Sequence, residues 1–278
     1  MFRLLSSSLL VSALMFAADV ARLGAQRSVD LGRATTPTVS IRITGSFAEL
    51  RIRGWDRDSV SLTGSIPADA RLEGGFGSGA RSGAGKFYLE TKSGSANVDV
   101  AEVVGGLDLN IVGGSVKVNG KPRELLVESM DGAVTFTGFA EYAKIKTATG
   151  DIVLEGGGDD LTFTTVSGSI QAANGERQLQ RLRLESVTGP ITFAGALARG
   201  ADLRLESHSG AMELRLPRPS NVEIDAATVL GTIENTWNQT RPVAGREGRG
   251  MELGISSGMS GARVQVRSFK GSIRLGAR

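Results

Sequence analysis

The single histidine of this 278-residue chain is the first candidate for chemistry. His208 lies between Ser207 and Ser209, so a nucleophile and a general base are adjacent in sequence. Adjacent residues of a strand point to opposite faces, which keeps such a pair apart. His208 also occupies a repeat position that elsewhere holds Val, Met, Ala or Phe. The sequence therefore favours a structural histidine packed at a corner.

Carboxylates form the second candidate group. Glu128, Asp131 and Asp151 lie near one corner of the repeat described below, and an acidic groove of this kind could cleave polysaccharides, often with calcium. A related column holds Glu90, Glu128, Glu185 and Glu206, but Asn110, Lys146, Thr164 and Arg267 interrupt it. A carbohydrate-active enzyme is thus an alternative, while the leading expectation is no catalytic residue.

Two glycine-rich stretches could bind a cofactor or a metal. GGGDD at residues 156–160 resembles a calcium loop but lacks the nonapeptide repetition of calcium-binding solenoids, so a tight return turn is favoured. GGFGSG at residues 74–79 has neither the dinucleotide-binding spacing nor a following helix. We expect no cofactor and no metal site.

A repeat determines where all these residues lie. Nine copies of one pattern occur between Phe87 and Leu275, for example LTFTTVSGSIQA and LRLESVTGPITF. Successive glycines are 20, 18, 18, 18, 21, 21 and 21 residues apart, followed by a gap of 40. The repeat glycines are Gly94, Gly114, Gly132, Gly150, Gly168, Gly189, Gly210, Gly231 and Gly271. Self-similarity at this period is typical of units that stack on one another.

A hydroxyl residue stands three positions before nearly every repeat glycine. The corner hydroxyls are Thr91, Ser129, Thr147, Thr165, Ser186, Ser207, Thr228 and Ser268, and Ile111 is the exception. Apolar residues alternate before this position, and their phase shifts by one residue after it. We predict a corner between hydroxyl and glycine, where the hydroxyl bonds freed backbone groups and glycine permits a positive φ.

Each unit is therefore two strands of about five residues, a corner and a return loop. The predicted fold is all-β: one parallel β-solenoid of roughly 18–21-residue rungs with a right-handed coil. A sandwich of antiparallel hairpins is the competing architecture. It would need Asn-Gly or Asp-Gly turns, whereas the residue before the glycine varies widely.

The chain divides into segments around this repeat. Residues 1–25 read as a secretory signal peptide cleaved after Ala25, with an uncleaved membrane anchor as the alternative. Residues 26–37 read as a flexible segment and 38–278 as the solenoid domain. Within that domain we assign 38–73 to amino-terminal rungs with Trp55 over the core end, 74–85 to a loop, 86–235 to regular repeats, 236–262 to an irregular excursion and 263–278 to the last rung.

Composition limits the compartment and the partners. The chain has no cysteine and no second apolar span, which suits a soluble periplasmic or secreted protein. The net charge is +3, with acids interspersed among the arginines and few aromatics, so nucleic acid is not an expected partner. An envelope polysaccharide or protein is the expected partner, and self-association through the regular strands is a further possibility.

The repeat also carries a family resemblance. The S/T-x-x-G-x-I/V pattern of TTVSGSI, ESVTGPI, TATGDI and SFKGSI, with IRGWDRDSV nearer the amino terminus, resembles the bacterial putative-adhesin family of unknown function. The resemblance extends from about Val39 to the end. It implies a non-enzymatic cell-envelope solenoid and provides no catalytic residue to transfer.

Overall fold

Strands make up almost all of the ordered structure. A computed structural model of the chain describes residues 26–34, 41–45, 49–53, 59–67, 71–73, 86–91 and 95–278, apart from 176, 246–247 and 257–260, with side chains described for 50–53 and from 97 onward. The strands are β1 (Gln26–Ala34), β2 (Ile41–Gly45), β3 (Glu49–Arg53), β4 (Ser59–Pro67), β5 (Arg71–Glu73), β6 (Lys86–Thr91), β7 (Ser95–Ala101), β8 (Gly106–Ile111), β9 (Gly113–Gly120), β10 (Glu124–Ser129), β11 (Ala133–Thr147) and β12 (Ile152–Thr165). They continue as β13 (Ile170–Gly175), β14 (Leu179–Ser186), β15 (Ile191–Gly195), β16 (Asp202–Ser207), β17 (Met212–Leu216), β18 (Val222–Thr228), β19 (Ile233–Asn235), β20 (Val243–Ala244), β21 (Met251–Ser256), β22 (Ala262–Ser268) and β23 (Ile273–Ala277).

Two parallel ladders form the body of the molecule. The first ladder stacks the strands before each corner in the order β2, β6, β8, β10, β11, β12, β14, β16, β22, β18. The second ladder stacks those after each corner in the order β3, β7, β9, β11, β12, β13, β15, β17, β23, β19. Because these neighbours are parallel, the predicted all-β parallel solenoid is confirmed and the hairpin sandwich is wrong. The hand of the coil stays a prediction.

Strand alternation fills the space between the two ladders. The residues seven and five before each glycine point inward from the first ladder, as Leu125 and Val127 do, and both are fully buried. The residues two and four after the glycine point inward from the second ladder, as Ile191 and Phe193 do. Inward apolar side chains therefore form continuous columns along the stack, which is how a short repeated unit gains a core.

The last rung does not follow the order of the sequence. Strand β22 lies between β16 and β18, and β23 lies between β17 and β19. The copies were expected to stack in sequence order, but the eighth copy, β18 with β19, stacks on the final copy instead of on β16 with β17. The excursion after β19 contains β20 and β21 and returns the chain to the gap between the rung of β16 and β17 and the rung of β18 and β19.

Antiparallel strands close both ends of the stack. Strand β5 pairs antiparallel with β2 at one end, and β21 pairs antiparallel with β18 at the other. At the second end Leu253 and Ile255 of β21 are buried, so this strand also covers the apolar core. Strand β20 in turn pairs with β21. Covering strands of this kind protect a solenoid end from open-edge association.

The amino-terminal region contains a second, two-stranded sheet. Strand β1 lies within the segment 26–37 and pairs antiparallel with β4 along its whole length, while residues 35–37 are outside the described part of the chain. The rungs expected within residues 38–73 are represented by β2 and β3. The signal segment 1–25, Trp55, the loop 74–85 and Gly94 lie outside the described residues. In the described part, no helix has the length and apolar character needed to cross a membrane.

Candidate corner site and outer faces

The corner hydroxyls form one buried column. Strand register places Ser129, Thr147, Thr165, Ser186, Ser207, Ser268 and Thr228 one above the other, with Ile111 next to Ser129. Each of these seven hydroxyl residues is at most 8% exposed. Their alignment follows from the in-register parallel pairing, because each rung repeats the same turn at the same place.

Most of the hydroxyls accept a hydrogen bond from the repeat glycine three residues later. The backbone N–H of Gly132 donates to Ser129 Oγ at 2.8 Å, and that of Gly210 donates to Ser207 Oγ at 2.8 Å. The same bond joins Gly168 to Thr165, Gly231 to Thr228 and Gly271 to Ser268 at 3.1, 3.0 and 2.7 Å respectively. The hydroxyl thus satisfies a backbone donor that the turn removes from the ladder.

Two members of the column differ. Thr147 Oγ1 donates to the carbonyl oxygen of Gly150 at 2.6 Å and lies 3.0 Å from Thr165 Oγ1. Ser186 Oγ is buried without a hydrogen-bond partner. The column therefore contains its own comparison between a bonded and an unbonded serine.

The repeat glycines are required by close stacking. A Cβ on Gly189 would lie 1.8 Å from the carbonyl oxygen of Gly168, and one on Gly210 would lie 2.0 Å from that of Gly189. Contacts of this length are far inside van der Waals separation. Positive φ was the expected reason, but among the described repeat glycines only Gly114 has it, with φ 104°. Backbone approach, rather than a left-handed conformation, selects glycine at this column.

His208 is exposed, contrary to its expected packing at the corner. Its ring stacks on Phe269 of the inserted rung, with centroids 5.1 Å apart and planes 19° from parallel. Neither neighbouring serine bonds to it: Ser207 Oγ accepts from Gly210, and Ser209 Oγ donates to the Val187 carbonyl at 3.3 Å. The geometry contains no Ser-His pair that could act as nucleophile and base.

The three candidate carboxylates each bond to the following rung. Glu128 Oε1 lies 3.1 Å from Lys146 Nζ, and Asp131 Oδ1 accepts from Thr149 Oγ1 at 2.9 Å. Asp151 Oδ1 accepts from the backbone and the hydroxyl of Ser169, at 2.7 and 2.8 Å. These contacts hold the carboxylates along the stack instead of directing them together at one point.

The expected return turn at residues 156–160 is a continuation of β12. Pairing with β11 runs through Gly156, Gly157 and Gly158, where the chain passes from the second ladder to the first. Asp159 then accepts from Gln180 at 2.9 Å and Asp160 pairs with Arg181 at 2.7 Å. Throughout the described residues, no group of three or more acidic, histidine or cysteine side chains could hold a metal ion.

The outer side of the first ladder is densely charged towards the inserted rung. We call the following residues the charged face: Arg181, Arg183, Glu185, Asp202, Arg204, Glu206, Arg263 and Arg267. Arg183 pairs with Glu185 and lies 3.5 Å from Glu206. Hydrogen bonds and charge attraction from Asp202 raise the pKa of Arg204 above its usual value. The ion pairs of Arg183 are solvent-exposed and each contributes at most about 1 kcal/mol, so the regular spacing of the charges comes from the strands beneath them.

The column two residues before the glycine forms an apolar ridge along the outside of the corner. The corner ridge comprises, in stacking order, Val112, Met130, Ala148, Val166, Val187, His208, Phe269 and Val229. Met130 is 59% exposed, Val166 51%, Val187 44% and Phe269 41%. The phase shift that revealed the corner was the available signal, but it did not show that these side chains point outward.

The two ladders, the corner columns and the covering end strands define a parallel β-solenoid repeat protein. A family model for Toastrack DUF4097 matches residues 35–242, and the chain belongs to this family, a domain of unknown function. A crystal structure of a putative cell adhesion protein from Clostridium sporogenes aligns over 91% of this chain and 100% of its own, at 11% identity. Its TM-score of 0.33 is too low for fold or function to be transferred. Comparison with curated proteins gave no match.

Proposed function

We propose that this chain is a non-enzymatic, adhesin-like binding or scaffold protein of the cell envelope, exported by its amino-terminal segment. The observation that carries the proposal is that inward and outward positions of each rung have different roles. Inward positions build the core and the corner columns, while outward positions of the first ladder present the charged face. A solenoid of stacked rungs is consistent with recognition through an extended surface of this kind.

The charged face suits anionic polymers with many hydroxyl groups. Arginine presents a planar fork of donors that matches carboxylates, and carboxylates can accept from sugar hydroxyls. Arg263 is exposed and makes no ion pair among the described residues, so its donors face solvent at the edge of the charged face. The charged face extends over three rungs about 4.8 Å apart, which allows one polymer chain to contact several rungs.

Co-sedimentation with insoluble peptidoglycan, and affinity electrophoresis in gels containing anionic polysaccharide, test this proposal. We expect Arg263→Glu to weaken binding about tenfold and added salt to weaken wild-type binding. The matched control is Lys117→Glu, which changes an exposed cation on the second ladder by the same amount. Equal loss in both variants would indicate a bulk charge effect and would contradict recognition by the charged face.

A further inference from the structure

The corner ridge has a sequence that complements itself when reversed. Its centre lies between Val166 and Val187. Stepping outward from that centre pairs Ala148 with His208, Met130 with Phe269, and Val112 with Val229. The Met130–Phe269 and Val112–Val229 pairs are apolar, and the small Ala148 stands opposite the imidazole ring of His208. The Met130 and Phe269 pair adds a sulfur–aromatic contact of the kind that stabilises protein interfaces.

The column on the glycine side of the ridge shows the same relation in its charges. Asp131 lies immediately after Met130, and Lys270 immediately after Phe269. Both are exposed, and neither forms an ion pair among the described residues. Asp131 accepts a hydrogen bond from Thr149, and the Lys270 ammonium lies 5.9 Å from the Phe269 ring centroid. One end of the ridge is thus acidic and the other basic.

A second column flanks the ridge on its other side and shows the same pattern. We call it the strand-side column; its residues stand four positions before each repeat glycine. Reversal about the same centre places Glu128 opposite Arg267, Lys146 opposite Glu206, and Thr164 opposite Glu185. Each of these three pairs joins opposite charges or a hydroxyl and a carboxylate, and the outermost pair, Asn110 and Ala227, is uncharged. Within the chain Glu128 already contacts Lys146, and Arg267 contacts Asp225, so this column adds less than the Asp131 and Lys270 pair.

We propose that the corner ridge binds a second copy of this chain, antiparallel, about a two-fold axis that crosses the ridge between Val166 and Val187. This axis makes each flanking column meet its own counterpart, so that Asp131 of one copy faces Lys270 of the other at two equivalent places. An isologous interface must be self-complementary in this way. The ridge spans seven inter-strand steps of about 4.8 Å, or about 34 Å.

Two ridges that run parallel to each other would not be self-complementary in their charges. Its two-fold axis would run along the stack, which brings the glycine-side column of one copy against the strand-side column of the other. Asp131 would then face Glu128, and Lys270 would face Arg267, each twice. Like charges in these positions oppose association, so charge selects the antiparallel pair.

The association of charge-reversal variants, measured by sedimentation velocity, tests the antiparallel orientation of the two copies. A ridge is a narrow contact, so we expect the wild-type protein to dimerise with a dissociation constant on the order of micromolar. Asp131→Lys and Lys270→Glu should each weaken dimerisation about tenfold, since each places like charges at both equivalent contacts. The double variant Asp131→Lys, Lys270→Glu should recover wild-type association. Both substituted residues are exposed, and an unchanged melting temperature confirms folding.

Cysteine cross-linking tests the register independently, because the chain has no native cysteine. Val166→Cys mixed with Val187→Cys should give a disulfide-linked dimer on oxidation, whereas either variant alone should give none. The exposed second-ladder site Gln171→Cys is the control and should not cross-link with either. Strengthened association of the single charge variants, cross-linking of one cysteine variant with itself, or a monomer at every concentration would each overturn the proposal. None of these outcomes bears on polymer binding by the charged face.

Discussion

Ser186 and Ser207 occupy neighbouring positions of the same buried column but differ in their bonding. Ser207 Oγ accepts the Gly210 N–H, whereas Ser186 Oγ has no partner. A buried donor that loses its acceptor costs about 1–3 kcal/mol, while removal of an unbonded hydroxyl costs little. We therefore expect Ser207→Ala to lower the free energy of unfolding by about 1–3 kcal/mol and Ser186→Ala to change it by less than about 0.5 kcal/mol. Urea denaturation measures both, and equal losses would contradict this role for the hydroxyl.

The glycine column gives a second comparison at the residue scale. Gly189→Ala would place a Cβ 1.8 Å from the Gly168 carbonyl oxygen, and a backbone atom cannot move aside without disturbing the ladder. We expect a loss of about 3 kcal/mol in the free energy of unfolding. Gly254 has no heavy atom within 4 Å of such a Cβ, so Gly254→Ala should be neutral to within about 0.5 kcal/mol. Thermal melts of the two variants check the prediction; similar melting temperatures would show that stacking does not select glycine.

At the scale of elements, β22 of the last rung links two parts of the first ladder by strand pairing. Among the described residues, it alone joins the body of the stack, which ends at β16, to the terminal strands β18 and β21. Strand β18 reaches β16 only through β22, and β18 also carries the covering strand β21. A chain ending at residue 261 should keep a protease-resistant body and lose protection after Leu216. A chain ending at Leu216 should give the same resistant fragment in limited proteolysis. Persistent protection of Val222–Thr228 in the first variant would contradict the dependence of β18 on β22, because β18 would then have stacked directly on β16.

Rung architecture could be predicted from the sequence, but rung order could not. Inward positions such as Leu125 and Val127 alternate clearly because burial imposes a period of two on every strand. The order of the rungs does not affect the sequence pattern, because each copy presents the same apolar columns and the same glycine to any neighbour. The column containing Met130 was ambiguous for a related reason: a phase shift marks a corner, but an outward corner and an inward turn give the same pattern.

At the scale of the whole molecule, the insertion of β22 brings His208 beside Phe269 and separates it from Val229. Neighbouring strands are about 4.8 Å apart, so His208 and Val229 are separated by about 10 Å, beyond the reach of a disulfide. At concentrations too low for dimerisation, the pair His208→Cys and Phe269→Cys should cross-link within one chain. The pair His208→Cys and Val229→Cys should stay reduced. Mass spectrometry distinguishes the two, and the reverse result would show that the rungs stack in sequence order.

The central claim is that the protein binds envelope polymers and does not turn them over. Calorimetric titration of the protein with anionic envelope polysaccharides, with and without calcium, measures both in one experiment, because binding gives finite heats and turnover gives continuous heat flow. A non-enzymatic binding protein predicts heats that saturate and return to the baseline after each injection. Sustained heat flow proportional to protein concentration, or no heat with any envelope polymer, would contradict the proposed function.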